Sequence, residues 1–147
     1  MTAPTFDDRF RVPPALDDAN RFFWTSGADG RLRFLRCQAC GYWLHPPSPR
    51  CPECGGRDLV PEPVSGRGVV HSATVNHQPW DGDPTPYVVA LVELDEQAGL
   101  RLTTNLVGVD AATFDAAAAI GAPVRVVFEQ RGEVFYPLFE LLAEAGA

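Results

Sequence analysis

Two short stretches decide the fold of this chain: Arg36-Cys37-Gln38-Ala39-Cys40-Gly41 and Arg50-Cys51-Pro52-Glu53-Cys54-Gly55. They hold all four cysteines of the sequence, as two C-x-x-C pairs with ten residues between them. This spacing is typical of two knuckles whose four thiolates converge on one tetrahedral Zn²⁺. A glycine after each pair lets the backbone turn tightly, so that amide groups can approach the thiolates. We therefore predict four zinc ligands: Cys37, Cys40, Cys51 and Cys54.

Other cysteine chemistries fit the sequence less well. Disulfide frameworks are typical of small secreted proteins, and paired C-x-x-C knuckles are poorly spaced for cross-links. A redox C-x-x-C motif would need a thioredoxin-like βαβ context, which the sequence does not show. Because four cysteines complete the coordination sphere, we expect a structural zinc with no open position for substrate. His45, between the two pairs, is then expected to be an exposed or stacked ring.

The composition describes a folded, acidic chain. It has 147 residues, 46% of them hydrophobic, and a net charge of −7. No apolar run approaches the roughly 20 residues that cross a bilayer, and the polar N-terminus is unlike a signal peptide. We expect a cytoplasmic location and no membrane partner, because thiols committed to a metal suit a reducing compartment. All twelve basic residues are arginine, which excludes a Schiff-base lysine and a Walker-type phosphate loop.

The charge is unevenly distributed. Residues 31–67 hold six arginines and three acids, a local balance of +3, which leaves −10 for the rest of the chain. Such a basic ribbon could meet a phosphate-bearing ligand or an acidic partner, or its arginines could simply be solvated. Arg33 and Arg50 are our candidates for a ligand contact. The net negative charge argues against nucleic acid as the main partner, since phosphate contacts need clustered cations.

Three units follow one another along the chain. Residues 1–30 are predicted as an irregular arm and a short helix, residues 31–60 as the zinc ribbon, and residues 61–147 as a barrel. In the first unit, Asp17 and Asp18 offer an N-cap for a helix ending in three consecutive aromatic residues. These rings are too apolar to stay in water, so they must pack on their own chain or on another subunit.

The third unit is rich in predicted strands, which alternate with turn signals. Between the third and fourth strands, the alanine-rich residues 110–120 predict one helix. Five strands with a single helix in this position are the layout of a small Greek-key barrel of the OB type, whereas an SH3-like barrel would lack the helix. The fold class is thus mainly β. The candidate strands are 67–77, 86–95, 99–107, 123–130 and 133–141.

Several of these strands carry apolar residues on both faces. A small barrel cannot cover its whole exterior with its own helices, so we predict a subunit interface there. The candidate interface residues are Phe22, Phe23, Trp24, Phe135 and Phe139.

Two histidines lie on the first barrel strand. His71 and His77 share the parity of Val69 and are predicted to face inward. His77 ends its strand close to Trp80 in the next loop, a pair that could contact a small ligand at the barrel mouth. The sequence has no G-x-S-x-G, H-E-x-x-H or glycine-rich dinucleotide motif, and we predict no catalytic residue in it.

The order of these features resembles a known family. A short aromatic helix, R-C-x-x-C-G, C-P-x-C-G and an OB barrel are similar to the domain of unknown function 35 family, DUF35, which joins a rubredoxin-like zinc ribbon to an OB-fold. Residues 86–94, PYVVALVEL, look like the second barrel strand of that family, and the likeness spans residues 16–142.

The resemblance implies an acyl-CoA pathway, because these proteins accompany thiolase-superfamily enzymes and acyl-CoA hydratases. Within the family, the likeness is to the small partners of lipid-transfer-type aldolases in steroid side-chain degradation, some of which are joined to a hot-dog-fold enoyl-CoA hydratase. It implies a non-catalytic subunit of a hetero-oligomer that performs a retro-aldol cleavage of a β-hydroxyacyl-CoA. This subunit would stabilise its partner and shape the channel for a shared acyl-CoA. The alternatives are a nucleic-acid-binding module and a stand-alone acyl-CoA-binding protein.

Overall fold

The computed structural model describes residues 9–142. An irregular arm leads into a short helix and a 3₁₀ turn at Ser26–Asp29, and the rest of the chain is almost entirely β. The helices are α1 (Arg21–Trp24) and α2 (Ala116–Ala119). The strands are β1 (Arg33–Cys37), β2 (Trp43–Leu44), β3 (Leu59–Pro63), β4 (Arg67–Asn76), β5 (Tyr87–Leu94), β6 (Arg101–Val107), β7 (Pro123–Arg131) and β8 (Val134–Leu141).

The ribbon is a three-stranded antiparallel sheet in the order β2-β1-β3. The sequence analysis does not predict β3, because Pro61 and Pro63 argue against a strand there. Pro61 and Pro63 are tolerated there because β3 is an edge strand, where a backbone that cannot donate a hydrogen bond costs little. The predicted boundary between residues 60 and 61 falls inside this strand.

The five later strands close into a barrel in the order β4-β5-β6-β8-β7. All neighbours are antiparallel except β6 and β8, which pair in parallel through Leu106 and Phe139. Each of the five predicted strands is present with its ends within about two residues of the expected bounds. The fold class, a mainly β chain with an OB-type barrel, is confirmed.

The helix predicted over residues 110–120 is much shorter than expected. Only Ala116–Ala119 is helical, and Asp115 is its N-cap, accepting a hydrogen bond from the Ala118 amide at 3.1 Å. Upstream, the Asp110 carboxylate accepts from the Ala112 amide and forms a turn of its own. Two competing aspartates therefore divide the alanine-rich stretch, since each satisfies backbone amides locally.

The prediction that His71 and His77 face inward is wrong. A β-bulge lies between Val70 and Ser72, so His71 is an extra residue with no partner on β5. The bulge changes the parity of the strand: Val70 is buried before it and Ala73 packs on the core after it. His71 is exposed because of the bulge, and His77 is exposed because it lies beyond the end of β4 at Asn76.

One hydrophobic core joins the helix, the ribbon and the barrel. Phe23 of α1, Phe34 of β1 and Trp43 of β2 pack in the same cluster as the inner residues of the barrel. Two of the predicted interface residues belong to this core, since Phe23 is 5% and Phe139 0% exposed. Their assignment to a partner interface is therefore wrong. Phe22, Trp24 and Phe135 are half-buried, and for them the interface remains a prediction.

The second apolar face of β8 is covered by the protein itself. Val134, Tyr136 and Leu138 point out of the barrel and form a separate buried cluster under Leu16 and Trp24. The Trp24 and Tyr136 rings meet edge to face, with centroids 5.9 Å apart. The sequence predicts a subunit interface on the barrel exterior, with Phe135 and Phe139 as its residues on this strand. The opposite face, with Val134, Tyr136 and Leu138, is instead covered by the N-terminal segment of the same chain.

Replacement of Gly27 by alanine is expected to loosen this covering segment. A methyl group on Gly27 would lie 2.5 Å from Phe128 Cδ1 and 2.7 Å from Phe135 Cβ, so the 3₁₀ turn must move off the barrel. We expect a loss of about 1–3 kcal/mol in the free energy of unfolding, measured by urea denaturation. The control is Ala28→Ser at an exposed position of the same turn. Equal stability of the two variants would contradict this packing.

Candidate metal centre and adjoining surfaces

The two knuckles have the same backbone hydrogen bonds. The Gly41 amide donates to the Cys37 carbonyl at 2.8 Å, and the Gly55 amide donates to the Cys51 carbonyl at 2.9 Å. Both glycines have positive φ, 81° and 76°, which side chains rarely adopt, so the glycine after each pair is required by the turn. The sequence thus builds two equivalent tight turns that face each other.

The four sulfur atoms lie where a tetrahedral metal site needs them. All four Sγ atoms are within 4.8 Å of one another, and the pairs Cys37–Cys54 and Cys40–Cys51 are each 3.6 Å apart. A tetrahedron with Zn–S bonds of about 2.3 Å has S···S edges of about 3.8 Å. The geometry and the all-sulfur donor set both fit Zn²⁺, and the predicted ligand set converges as expected.

Backbone amides surround the thiolates. Hydrogen bonds from the Cys40 and Ala39 amides lower the pKa of Cys37 to about 7, whereas burial and hydrogen bonds with the neighbouring thiols raise the pKa of Cys40 and Cys54. A metal requires all four cysteines as thiolates, so its binding releases protons from the cluster. The Gly56 amide donates to Cys54 Sγ at 3.4 Å, and the Glu53 amide donates to Cys51 Sγ at 3.4 Å. Such contacts orient the ligands and offset their negative charge.

His45 is a stacked ring, one of the two possibilities that the sequence left open. Its centroid lies 4.9 Å from that of Phe23 and 4.7 Å from that of Phe34. Burial lowers the pKa of His45 to about 4, because the imidazolium form would lose its hydration. The neutral ring therefore links the ribbon to α1 as a packing residue.

The two candidate phosphate-binding arginines have different surroundings. Arg33 makes a bidentate ion pair with Asp29, with its Nη2 atom 2.6 Å from Oδ2. The hydrogen bonds from Arg33 hold the pKa of Asp29 at about 2, so the carboxylate stays charged. Arg50 is exposed beside the second knuckle. A ligand role for either arginine remains a prediction, and Arg33 would have to leave Asp29 to fulfil it.

His77 and Trp80 both lie in the loop after β4. The sequence predicts Trp80 there, but it predicts His77 as the last residue of the strand, which ends one residue earlier at Asn76. Trp80 is 77% exposed, and its indole Nε1 donates to Asn76 Oδ1 at 3.1 Å. Neither side chain lines the larger clefts found within residues 9–142. A contact between these rings and a ligand remains a prediction.

Sequence reasoning missed a cleft of about 520 Å³ between the helix, the ribbon and the barrel. Trp24, His45 and Pro47 form one wall, and β6 and β8 form the other with Thr103 and Tyr136. Its volume lies in the range of small-molecule sites. No sequence signal marks it, because its walls come from three parts of the chain that are distant in sequence.

Sequence reasoning also missed the two arginines of the arm. Arg9 and Arg11 have buried side chains, 8% and 11% exposed, although they precede the first predicted element. Arg11 contacts Glu129 of β7, and Arg9 contacts the loop that carries Trp80. A basic residue in a proline-rich arm normally indicates solvent exposure, so only the tertiary structure could identify these contacts.

A structural zinc ribbon packed on an OB-fold barrel defines the class of this protein, and comparison with known proteins agrees. A model of the ChsH2 rubredoxin-like zinc ribbon domain matches residues 24–60, and a model of the ChsH2 C-terminal OB-fold domain matches residues 61–129. A DUF35 domain-containing scaffold protein of Methanothermobacter thermautotrophicus is 38% identical over 98 residues, which are 65% of this chain and 69% of that protein. The chain belongs to the DUF35 family, and its four cysteines form the zinc site of the ribbon.

Two longer relatives carry hydratase names. The 3-oxo-4,17-pregnadiene-20-carboxyl-CoA hydratase alpha subunit of Mycobacterium tuberculosis is 37% identical over 116 residues, 78% of this chain and 35% of that protein. A Thermomonospora curvata protein named "Probable enoyl-CoA hydratase alpha subunit" is 45% identical over 100 residues, 67% of this chain and 31% of that protein. The chain thus spans about a third of the length of each of these relatives.

Two solved structures share the fold. A chain of the Ltp2-ChsH2(DUF35) aldolase superposes with a TM-score of 0.73 and 39% identity, covering 88% of this chain and 98% of that chain. A DUF35-family protein of unknown function from Sulfolobus solfataricus has a TM-score of 0.59 and 16% identity, with 84% and 85% covered. The second similarity supports the fold alone.

Neither helix found within residues 9–142 has the length and apolar character that a bilayer crossing requires.

Replacement of Cys40 by alanine is expected to abolish zinc binding. Three thiolates remain, and the loss of metal-binding free energy, roughly 10–16 kcal/mol in zinc-finger peptides, unfolds the ribbon. Zinc content by atomic emission should fall well below one ion per chain, with a lower melting temperature. Ala39→Ser changes an exposed residue of the same knuckle and should retain the metal. Full zinc occupancy in Cys40→Ala would contradict the four-cysteine site.

Burial of His45 predicts an acid-sensitive fold. The unfolded chain binds a proton near pH 6.5, whereas folded His45 resists it until about pH 4, so the free energy of unfolding falls as the pH drops between these values. The shift corresponds to at most about 3 kcal/mol. Urea denaturation at pH 7.5 and 5 should show this loss in the wild type and a smaller one in His45→Phe.

His71→Phe changes an exposed histidine and serves as the control for this titration. It should keep the acid sensitivity of the wild type. If His45→Phe and His71→Phe lose the same stability between pH 7.5 and 5, then the acid sensitivity does not come from His45.

Proposed function

We propose that this chain is a non-catalytic accessory subunit of a thiolase-superfamily acyl-CoA aldolase. The partner performs a retro-aldol cleavage of a β-hydroxyacyl-CoA in steroid side-chain degradation, and this chain stabilises the partner and shapes its substrate channel. The complex is a cytoplasmic hetero-oligomer. The observation that carries the proposal is the similarity to a chain of the Ltp2-ChsH2(DUF35) aldolase, which extends over 88% of this chain at 39% identity.

The chemistry of the chain supports an accessory role. Its four cysteines are the ligands of one metal site, so none of them is available as a nucleophile. It contains no lysine, and so no Schiff base can form on it. A retro-aldol cleavage needs a base for the β-hydroxyl group and a means of stabilising the enolate of the thioester. In this proposal the thiolase-like partner supplies both groups.

The histidines of the chain are poor candidates for that base. His45 is held neutral between two phenylalanine rings, and its pKa of about 4 makes it a weak base at neutral pH. His71 and His77 are exposed, away from the larger clefts. General-base catalysis works best with a group whose pKa is close to the working pH and whose position is fixed next to the substrate. The chain therefore acts by shape and contact.

The cleft of about 520 Å³ is the part of the chain that would border the channel. Its lining is largely apolar and aromatic, with Trp24, His45 and Leu138, and it also includes Arg101 and Thr103. Apolar walls with a few polar groups suit an acyl chain that is passing from solvent to a buried site. The acyl-CoA would be shared between this cleft and the partner.

A hydratase is a second proposed component of the assembly. Two relatives are named as alpha subunits of acyl-CoA hydratases, and each is about three times as long as the part that this chain matches. We propose that a hot-dog-fold enoyl-CoA hydratase acts next to the aldolase, because hydration of an enoyl-CoA produces the β-hydroxyacyl-CoA that a retro-aldol reaction cleaves. The hydratase would thereby feed the substrate of the proposed aldolase.

The direct test is reconstitution with the lipid-transfer-type, thiolase-like protein of the source organism. The two purified chains should elute together in size-exclusion chromatography, and cleavage of a steroid β-hydroxyacyl-CoA should require both. We expect at least a tenfold increase in turnover over the partner alone, measured by release of the shortened acyl-CoA. Cys40→Ala should lose this effect because its ribbon is unfolded.

Three other results would contradict the proposal. The first is a partner that is fully active without this chain, and the second is cleavage of the thioester by this chain alone. The third is saturable binding of a CoA ester by this chain in calorimetry without any effect on the partner, which would favour a stand-alone acyl-CoA-binding protein.

A further inference from the structure

Within residues 9–142, the most exposed large apolar side chains are not the ones that the sequence marks as an interface. Among residues 9–142, the three large apolar side chains with the greatest exposure are Phe10 at 66%, Val12 at 79% and Trp80 at 77%. Solvent-exposed aromatic residues in proximity to one another are typical of protein-binding surfaces. Phe10 and Val12 lie in the arm that precedes the first helix, and Trp80 lies in the loop between β4 and β5.

The arm alternates between side chains that face the barrel and side chains that face solvent. Arg9 faces inward, where its guanidinium lies 4.2 Å from the centre of the Tyr87 ring and donates to the Thr85 carbonyl. Arg11 also faces inward and donates to Glu129 at 3.2 Å and to Asn105 at 2.9 Å. Phe10 lies between these arginines in the sequence and Val12 follows them, and both of these apolar side chains face outward.

These inward contacts fix the register of the arm. Burial of a guanidinium is costly unless it is paired, so Arg9 and Arg11 can be accommodated only where their acceptors lie. Glu129 is itself 5% exposed and lies between Arg11 and Arg131. A shift of the arm by one residue would place apolar side chains against Glu129 and move the arginines into water. The buried ion pair thus determines which side chains face outward.

The arm and the loop form one surface. Arg9 Nη1 lies 3.9 Å from Asp81 Oδ2, and Asp81 follows Trp80 directly. The Trp80 indole is held by Asn76, so the ring is positioned although it is exposed. Beside the arm lies a cleft of about 500 Å³, bounded by Arg9, Tyr87 and Val109, that a partner side chain can enter. We call Phe10, Val12 and Trp80 the arm–loop patch.

The surroundings of the patch are acidic. Asp83 lies in the loop, and Asp17 and Asp18 follow the arm, whereas Asp81 is paired with Arg9. The Thr85 amide and hydroxyl lower the pKa of Asp83, so this carboxylate is charged. Both arginines of the arm point away from solvent, and they are paired with Asp81 of the loop and with Glu129 of β7. An apolar patch with an acidic rim is complementary to an apolar recess with a basic rim.

We propose that the arm–loop patch is the docking surface for the thiolase-like partner, which receives Phe10, Val12 and Trp80 in an apolar recess bordered by lysine or arginine. This proposal rests on the proposed function, because it identifies the contact that the accessory subunit uses. Phe10 and Trp80 are the anchors, since exposed aromatic rings contribute most of the binding free energy in interfaces of this kind. Arg11 and Glu129 act indirectly, by holding the arm in register.

The test measures the affinity of the full chain for the lipid-transfer-type, thiolase-like protein of the source organism by calorimetry. Phe10→Ser/Val12→Ser and Trp80→Ser should each raise the Kd at least about tenfold. The control is Ile120→Ser, which removes a side chain that is 57% exposed next to α2, and it should leave the Kd within about twofold. Glu129→Gln should also weaken binding and should speed hydrogen exchange at the Arg11 and Val12 amides.

The outcomes separate this proposal from the proposed function. Tight binding of the wild type that both serine variants retain would overturn the docking surface and leave the accessory role intact. No binding or activation by the wild type would instead overturn the accessory role. A wild-type dimer that the serine variants convert to a monomer, with an unchanged Kd for the partner, would show that a second copy of this chain occupies the patch. That result would also overturn the proposal.

Discussion

Four thiolates that converge on one metal hold the ribbon in the shape on which the rest of the protein depends. Between the knuckles, the chain carries Trp43 and His45 back across β1, where His45 stacks on Phe34 and Phe23. A ribbon of this size has too little apolar surface to fold by burial alone. The metal stabilises the turns, and the turns place these rings against the barrel. Local coordination chemistry therefore organises packing well beyond the site.

The N-terminal segment has a second organising role. Without it, the outer face of β8 would expose Val134, Tyr136 and Leu138 to solvent. The segment covers them, and its Arg11 pairs with the buried Glu129 of the barrel. The same segment then presents new apolar side chains outward. The N-terminal segment therefore covers one hydrophobic surface of the barrel. In the proposal above, it also presents a second hydrophobic surface to a partner.

Sequence reasoning succeeded where the signal is local. Two C-x-x-C pairs followed by glycine specify the knuckles, because each turn is determined by a few consecutive residues. The barrel strands are marked by turn residues at their ends. Sequence reasoning was less successful where two local signals compete, as in residues 110–120. There Asp110 and Asp115 each accept hydrogen bonds from nearby amides, and only a single helical turn remains. The bulge at His71 has no sequence signal, since an extra residue in a strand looks like any other.

The sequence by itself determined the zinc ligands, the ribbon followed by an OB-type barrel, and the absence of a lysine or free cysteine nucleophile. These properties depend on residue type and spacing along the chain. The tertiary structure alone decided which apolar residues are buried and which are exposed. Phe23 and Phe139 lie in the core, whereas Phe10 and Val12 are exposed. Residue type cannot distinguish them, because burial depends on what the fold brings to each side of a strand or arm.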